Sequence, residues 1–585
     1  MAKFLDFVID RFNGLVANKS DLEMDRSEFK RLINVDLEEV GKAKRRRGIR
    51  QAGDTKSGKT IDNSFIFTRD TGGSFLSHHL VITREADAVL YNLLGTYTKA
   101  AVATTDTVIT VGSTGNFAAS GTIEIEGDLI AYTGTTATTF TGCSGIRVAH
   151  PINVPVQQLV VISAATGIDT RIGAYFAVLN NVCVINGGTA AGSSKTFDGT
   201  SLTDISDADE PLAIFDTNYR SRIYRAGRGS GASSAIRVSF SDPADATSWD
   251  VNNYFDVEDN SGEQITGLMV GEDILVIFKT NSIWAYDEVQ LKQRVSEVGA
   301  YNHRVLQKIN DQIFTFCPAG VYVTNGFSAR KISDPVDKYL RMFLPIVEIN
   351  YLRVVTNTFA GHFQDKYLLY IGTIPDPDDS SKTLSDVVLI YDTVRKNWTV
   401  HTNYTNFTHF GSFNGFWRGV PAAATDVQTT QYMESLFAGD SNGKYWRLYE
   451  NKFFDNGTTR TLRGGDLTAS LQSDDAGQAV SMELETKWLD LGSPLTWKFL
   501  PEIAAVVEQG EFNLAYRLEE GKAKTDWIEI VGFQAGIKIK KLPRNKGYRI
   551  KLRATSNSTD QLPILNALIL KNPESIDRPQ YVSYD

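Results

Sequence analysis

Short apolar runs alternate with polar turns along most of this chain, and pairs of runs repeat. Within residues 267–333, the run Ile274–Phe278 leads through a polar turn into Ile283–Tyr286, and Ile313–Phe316 leads through another turn into Val321–Val323. The two hairpins start about forty residues apart, and each closing strand carries an aromatic residue. Hairpins of short strands repeated at this period are typical of β-propeller blades.

The same pattern occurs at five more places in the chain. These are Leu80–Thr83 with Ala88–Leu94, Tyr175–Leu179 with Val182–Ile185, Arg222–Ala226 with Ala235–Phe240, Tyr367–Ile371 with Val387–Tyr391, and Ser435–Ala438 with Lys444–Tyr449. The sequence therefore predicts an all-β fold whose residues 61–450 form a multi-bladed β-propeller, of about seven blades with six to eight compatible. We expect Trp284, Phe314, Phe316 and Tyr322 of the central hairpins to pack in its core.

One segment inside the predicted propeller, residues 101–163, interrupts the hairpin spacing. It is rich in Thr and Gly, and apolar residues alternate in Val108–Val111, Ile123–Ile125 and Leu129–Tyr132. Such alternation predicts strands. We therefore expect a small β module inserted in one blade, at a position where repeat proteins often contact partners.

The two ends of the chain fall outside the hairpin pattern. Residues 1–60 predict an N-terminal arm with the first strands and one short helix within Leu22–Val40. Residues 451–478 are polar and rich in Gly, Thr and Asp, which is typical of a linker. Strand patterns return after it, so residues 479–585 predict a C-terminal antiparallel β-sandwich.

Composition supports well-filled cores and restricts the classes of partner. Of the 585 residues, 42% are apolar and 11% aromatic, which excludes general disorder. The formal net charge of −9 argues against a protein that grips nucleic acid over its whole surface. It is compatible with DNA passing a repulsive acidic channel. The three widely spaced cysteines predict buried thiols and synthesis in a reducing cytoplasm, and we expect neither a signal peptide nor a membrane span.

A basic run follows the predicted helix, and two interpretations of it are open. It could form a nucleic-acid patch, or it could form a strand edge that contacts solvent or an acidic neighbouring subunit. We expect the second, which makes these residues candidates for a subunit interface. They are Lys42, Lys44, Arg45, Arg46, Arg47 and Arg50.

The segment after the basic run matches the phosphate-binding P-loop pattern. The matching positions are Gly53, Gly58, Lys59 and Thr60. That loop needs a buried strand before it and a helix after it, so that backbone N–H groups converge on the phosphates. A basic segment precedes this one, and a strand-like segment follows it. We therefore interpret the match as chance and expect no bound cofactor.

Other patterns that carry chemistry are also missing from the sequence. The seven histidines show no zinc-binding spacing, and Asp376, Asp378 and Asp379 lack the spacing of a calcium loop. No nucleophile elbow occurs. A glycoside hydrolase needs two carboxylates facing one another, and no particular pair is distinguished among the 69 acidic residues. We therefore predict no catalytic residue, no metal site and no enzymatic activity.

Several segments together resemble one family, the β-propeller tail proteins of short-tailed bacteriophages, known as tail nozzle, tail hub or phage stabilisation proteins. Residues 14–51, with their N-V-x-L strand and basic turn, look like the N-terminal arm of that family. Residues 239–250, SFSDPADATSWD, resemble one of its blade elements, and residues 267–287 and 320–336 match its central blades best. Residues 123–150 resemble a small β module of phage structural proteins.

This resemblance implies a structural virion protein of the phage tail, assembled in the host bacterial cytoplasm. A homohexameric ring would lie below the portal and head-to-tail adaptor, extend the DNA channel, retain packaged DNA until ejection, and dock tail fibres or tip proteins. Double-stranded DNA would pass without specific binding. The basic residues 42–50 would then lie at a subunit or adaptor interface, and the segments 1–60 and 479–585 would provide the ring contacts. The insertion at 101–163 departs from the family.

Two alternatives of other classes stay open. A propeller that binds or degrades host-surface glycans would use aromatic rims such as Phe416–Trp417, and a hydrolase would add carboxylates facing the propeller axis. A P-loop ATPase would depend on Lys59.

Overall fold

Strands make up most of the part of the chain that the structure describes, which confirms the predicted all-β class. The structure is a computed structural model, and one α-helix accompanies the strands in the part of the chain that it describes. The described residues are 6–70, 75–187, 194–227, 235–258, 262–349, 357–417, 431–448, 480–491, 496–520, 523–557 and 562–576. The predicted linker 451–478 lies outside them.

The N-terminal segment forms short strands and not the predicted helix, which is therefore wrong. Leu22–Val40 contains two strands separated by Asn34, whose φ of 55° is not helical. The strands of this segment are β1 (Phe7–Ile9), β2 (Gly14–Leu15), β3 (Glu28–Ile33), β4 (Val35–Asp36), β5 (Ala43–Arg45) and β6 (Arg50–Gln51).

The next nine strands form the first propeller sheet and the inserted module. They are β7 (Ile61–Asp70), β8 (Phe75–Thr83), β9 (Leu90–Tyr97), β10 (Val108–Thr110), β11 (Gly121–Ile125), β12 (Asp128–Tyr132), β13 (Gly134–Thr135), β14 (Thr139–Thr141) and β15 (Pro155–Ser163). The module has its own core, which includes Ile109, Ile123 and Phe140. Its predicted end at residue 163 is too late, because β15 pairs along β9 as the fourth strand of the propeller sheet.

Four separate antiparallel sheets of four strands follow along the chain. Their strands are β16 (Tyr175–Leu179), β17 (Val182–Asn186), β18 (Lys195–Phe197) and β19 (Leu202–Asp204); β20 (Phe215–Tyr219), β21 (Arg222–Ala226), β22 (Arg237–Ser241) and β23 (Trp249–Asp256); β24 (Ile265–Val270), β25 (Leu275–Lys279), β26 (Ser282–Tyr286) and β27 (Leu291–Ser296); and β28 (Gln307–Ile309), β29 (Gln312–Cys317), β30 (Gly320–Thr324) and β31 (Ala329–Lys331).

The last part of the propeller follows the helix α1 (Asp337–Ile349), which the sequence reading missed. The signal was present, since Tyr339, Leu340 and Phe343 recur at helical spacing and are buried. The strands after it are β32 (Phe359–Phe363), β33 (Lys366–Asp376), β34 (Asp379–Asp392), β35 (Asn397–His401), β36 (Phe407–Trp417), β37 (Gln431–Asp440) and β38 (Tyr445–Leu448). Short 3₁₀ helices at His303–Val305 and Asp334–Val336 complete this region.

The C-terminal region has antiparallel strands, as predicted, and two of them are long, at 19 and 14 residues. The longest of these strands bulges near Gly510, where φ is +78°. The strands are β39 (Met482–Thr486), β40 (Trp497–Phe499), β41 (Glu502–Glu520), β42 (Ala523–Lys524), β43 (Ile528–Lys541), β44 (Lys546–Gly547), β45 (Arg549–Ser556), β46 (Ile564–Lys571) and β47 (Glu574–Ile576).

All seven predicted hairpins are present as antiparallel strand pairs. They are β8–β9, β16–β17, β21–β22, β25–β26, β29–β30, β33–β34 and β37–β38. Local chemistry explains their turns: Asn180 and Asn181, between β16 and β17, adopt positive φ angles of 48° and 62°, which asparagine tolerates better than most residues. Trp284, Phe314 and Phe316 are buried in the core as expected, and Tyr322 is half-buried against it.

The described strands of the propeller group into four-stranded units arranged around an axis. The first strands β7, β16, β20, β24, β28, β32 and β36 contact one another in sequence, and β36 contacts β7 again. Between β24 and β28 the contact passes through the 3₁₀ helix His303–Val305. This arrangement is a β-propeller. The blade number of the whole chain stays a prediction.

A strand from the N-terminal segment closes this propeller. The sheet of β36, β37 and β38 takes its fourth strand from β6, through the pairs Trp446 with Gln51 and Arg447 with Arg50. Joining the two ends of the repeat array in one sheet removes an unpaired edge. The propeller therefore includes residues before 61, contrary to the predicted boundary.

One sheet of fifteen strands connects the N-terminal segment, the propeller and the C-terminal region. The strand β3 pairs with β35 of the propeller at Ile33 and Val400, and with β39 of the C-terminal region at Leu32 and Leu484. Further along, β5 and β1 pair with β46. Residues 1–60 and 479–585 are thus parts of one sheet and not the two separate units that we predicted.

The three predicted reduced cysteines are free and buried. Among the described residues, no helix is both long and apolar enough to cross a membrane.

Burial in the shared sheet predicts which leucines contribute to the stability of the fold. Leu32 on β3 is fully buried, whereas Leu22 in the same segment is 73% exposed. Leu32→Ala should lower the free energy of unfolding by about 2–5 kcal/mol because it leaves a cavity between three regions. Leu22→Ala, the matched control, should change it by about 0.5 kcal/mol or less. Urea denaturation measures both, and equal effects would contradict the role assigned to β3.

Candidate functional site

The first strands of the propeller surround a cavity of about 620 Å³ on the axis. Such a volume is in the range of small-molecule pockets. Its lining residues come from all seven of these strands or the residues just before them, and they include Ser64, Tyr175, Asp216, Met269, Lys308, His362 and Ser412.

Double-helical DNA does not fit this axial cavity. The major groove of B-DNA alone is about 12 Å wide and about 8.5 Å deep, so each turn of a duplex occupies several times the volume of the cavity. A duplex therefore cannot occupy the axial cavity of one propeller.

Three histidines in the lining of the cavity are neutral packing residues. Burial lowers the pKa of His303 to about 4 and that of His409 to about 3, and it also lowers the pKa of His362. His303 Nδ1 accepts a hydrogen bond from the Leu268 N–H at 3.2 Å, and His409 Nε2 lies 2.9 Å from Ser64 Oγ. Among the described residues, no three or more His, Cys, Asp or Glu side chains are grouped to hold a metal ion.

Buried charges next to the cavity neutralise one another. Asp62 is fully buried, with its carboxylate 2.7 Å from Arg84, 2.6 Å from Arg304 and 2.6 Å from the Ala174 N–H. Burial alone would raise the pKa of Asp62, but the two arginines outweigh it and lower the pKa below its usual value. The ion triplet holds strand β7 and the 3₁₀ helix at fixed positions.

Asp216 is the one carboxylate among the residues that line the cavity. Burial raises its pKa, although Arg225 acts against this with contacts of 2.6 and 3.0 Å. Glu210 lies 2.7 Å from the same arginine. Glycoside hydrolases of the usual kind need two carboxylates across the scissile bond, and the lining supplies a single, arginine-bound one.

The basic run occupies the interior of the molecule at three of its six positions. Arg45 and Arg46 are 1% exposed and Arg50 is 6% exposed, with Arg50 Nε 3.2 Å from Glu124 Oε1 of the module. The interface prediction is wrong for these three, because no second subunit can reach them.

The other three members of the basic run lie nearer the surface. Lys42 pairs with Glu39 and Glu508 at 2.9 Å, Lys44 pairs with Glu39, and Arg47 is half-buried. For Lys42, Lys44 and Arg47 an interface stays a prediction.

Arg46 fixes the N-terminal segment against the propeller. Its Nε donates to Asn34 Oδ1 at 2.9 Å, its Nη2 donates to Thr402 O at 3.0 Å, and its guanidinium lies 4.2 Å from the ring centre of Tyr404. Sequence reasoning treated Arg46 as a surface charge. Two of its partners, Thr402 and Tyr404, lie more than 350 residues away in the chain, so no local signal could have identified them.

Asp36 and His401 make a second buried contact between the same two regions. Their Oδ1 and Nε2 atoms are 3.1 Å apart. Burial acts to raise the pKa of Asp36, yet His401, Lys366 and Arg47 lower it to about 2. The carboxylate is therefore ionised at neutral pH and holds β4 against the end of β35.

The P-loop-like segment connects two strands and lacks the features of a phosphate site. It joins β6 to β7, and the strand β7 starts directly after Thr60, where a P-loop would start a helix. Lys59 Nζ is 2.5 Å from Glu85 Oε2, and Thr60 Oγ1 donates to Ser441 O at 3.2 Å. Gly53 and Gly58 adopt φ angles of +79° and +74° in the turns of this connection.

Comparisons with known proteins identify no family. No protein-family model and no curated protein matches the chain. Among solved structures, the Neurospora crassa Pan2 WD40 domain aligns over 61% of this chain and 90% of its own, at 12% identity and a TM-score of 0.25. BamB from Moraxella catarrhalis aligns over 60% of this chain and 100% of its own, at 11% identity and a TM-score of 0.27. An exo-β-1,3-galactanase from Phanerochaete chrysosporium aligns over 68% of this chain and 94% of its own, at 8% identity and a TM-score of 0.22. These likenesses carry no argument about function.

The buried neutral histidines predict a pH dependence of stability. His79, His303 and His409 have pKa values lowered to about 3, 4 and 3 by burial, whereas an unfolded histidine has a pKa of about 6.5. Below pH 6.5 the unfolded chain therefore binds protons that the folded chain does not. Stability is full above this pH and should fall by up to about 1.36 kcal/mol per pH unit for each histidine as the pH decreases towards 4.

Urea denaturation between pH 7.5 and 5 measures this slope, in a range where most carboxylates stay ionised in both states. His409→Gln should reduce this slope by the contribution of one histidine, because one fewer proton is bound on unfolding. An unchanged slope in this variant would show that His409 is not buried in its neutral form.

Proposed function

We propose that this chain is a structural protein of the virion of a short-tailed bacteriophage and that it forms the tail nozzle or hub. In this proposal, six copies form a ring below the head-to-tail adaptor, extend the DNA channel, help to retain packaged DNA and dock tail fibres or tip proteins. The chain is not an enzyme in this proposal. Its resemblance in sequence to the propeller tail proteins supports the assignment.

The observation that carries the proposal is the sheet shared by three regions. A subunit of a DNA conduit must keep its shape while DNA moves under pressure past it. Here β3 joins β35 of the propeller to β39 of the C-terminal region by backbone hydrogen bonds on both sides. In this proposal, such pairing makes one stiff body of the described parts of the three regions, where flexible linkers alone would allow the domains to move independently.

Size and charge support a DNA path between subunits. The axial cavity of one propeller is too small for a duplex, so the lumen would be lined by the outer surfaces of several copies. The formal net charge of −9 per chain would keep the phosphate backbone from binding to such a lumen. DNA could then move without the contacts that make nucleic-acid binding tight.

The inserted module is our candidate for contact with fibres or tip proteins. It extends from the β9–β15 edge of the propeller and exposes Val108, Val148 and Ile152 by about half of their surface each. Covering these side chains with a partner would be favourable. The assignment accounts for an insertion that the phage family resemblance leaves unexplained.

Assembly tests the proposal directly. Native mass spectrometry and negative-stain microscopy of the purified protein should show rings of six copies, or rings that form when the adaptor protein is added. Immunogold labelling of purified virions should then place the protein at the tail. A chain that stays monomeric with the adaptor and is absent from particles would refute the proposal, as would turnover of a host-surface glycan.

Weak binding of DNA is a second expected property. In a gel-shift experiment with duplex DNA at about 0.15 M salt, the assembled protein should give no complex, because its acidic surface repels phosphates. Tight binding that weakens steeply with salt would indicate a basic lumen and contradict this part of the proposal.

A further inference from the structure

The strand β43 lies at an open edge of the fifteen-stranded sheet. It pairs along β41, through pairs such as Ala504 with Ile539 and Val506 with Ile537. No strand of the described residues pairs with its other side. From residue 534 to residue 541 most of its side chains are exposed on both faces. Open edges of this length attract further strands and are usually protected.

Apolar and basic side chains alternate along this edge. Ile537 is 67% exposed and Ile539 is 52% exposed, and both lie on one face of the strand because they are two residues apart. Lys541 is exposed on the same face and Lys538 on the opposite one, while Lys540 turns back to the Val531 carbonyl. Burial of the two isoleucines by a partner would be favourable.

The charge of the segment is opposite to that of the rest of the chain. Residues 537–546 contain four lysines and one arginine and no acidic residue, which gives +5. The formal net charge of the whole chain is −9, so that of the remaining residues is −9 − 5 = −14. Long-range electrostatic attraction between this segment and a second copy, which is acidic overall, is therefore favourable.

We propose that the free edge of β43 is a self-association surface, which binds an acidic surface of a second copy of this chain. A DNA phosphate backbone would pair with the lysines but would leave Ile537 and Ile539 in water. Two β43 edges would bring their lysines opposite one another, and like charges across a strand pair are destabilising. The contact is therefore between different surfaces of the two copies, which is the kind that generates rings. The self-association surface is argued from β43 itself, and only the step that such contacts close a ring rests on the proposed function.

Paired variants on two exposed basic strands test this surface. Lys538→Glu with Lys541→Glu reverses the charge of β43, and Ile537→Asn with Ile539→Asn removes its apolar face. Lys292→Glu with Arg294→Glu is the matched control, because both residues are exposed on the edge strand β27 of another sheet. Circular dichroism and thermal unfolding check that all variants fold.

Sedimentation velocity over a concentration series measures the association of each variant. Both β43 variants should associate at least about tenfold more weakly than the parent protein, and the control should associate like the parent. If the β43 variants associate like the parent protein, the β43 edge is not the self-association surface, but the ring proposal still holds. The same conclusion follows if the control variant is weakened as much as the β43 variants. A parent that is monomeric in all conditions refutes both. Binding of duplex DNA that is lost with the lysines would assign the edge to DNA instead and overturn the inference.

Discussion

Unpaired backbone groups at strand edges explain why the N-terminal segment of this chain lies where it does. Every strand carries N–H and C=O groups that need partners on both sides, and an open edge is a site of misassembly. The N-terminal segment satisfies this need twice: β6 completes the last propeller sheet, and β3 fills the gap between β35 and β39. A segment of fifty residues thereby closes the propeller and joins it to the C-terminal region.

The buried ionic contacts follow from this arrangement. Arg31, on β3, reaches Asp376 of the propeller at 2.8 and 2.9 Å and Glu483 of the C-terminal region at 2.9 Å. Burial acts against the charged form of Arg31, but these carboxylates raise its pKa. Removing one partner of such a group leaves a buried charge uncompensated, which is strongly destabilising. The ion pairs therefore specify how the three regions fit together, even where they add little net stability.

The same features relate fold to proposed function. Polar groups near the propeller axis are used in internal pairs, such as Asp62 with Arg84 and Arg304, and the cavity there is small. Among the described residues, the surfaces that we propose for partners lie outside the blades, in the inserted module and at the β43 edge. A stiff body with contact surfaces on its periphery is the form expected of a ring subunit, in which neighbouring copies cover the remaining open edges.

Features that depend on residues close together in the chain could be predicted from the amino-acid sequence. Alternation of apolar residues and turn-forming pairs such as Asn180-Asn181 located the hairpins, because these strands pair within a few residues of each other. Tertiary structure alone decided where the N-terminal strands pair. The helical spacing of Phe29, Leu32 and Ile33 was overridden by strands hundreds of residues away. Likewise, we predicted Arg46 as a surface charge, but in the folded chain the Thr402 carbonyl and Tyr404 enclose it. Pairing between distant strands leaves no periodic signal in either segment, so only the folded chain shows it.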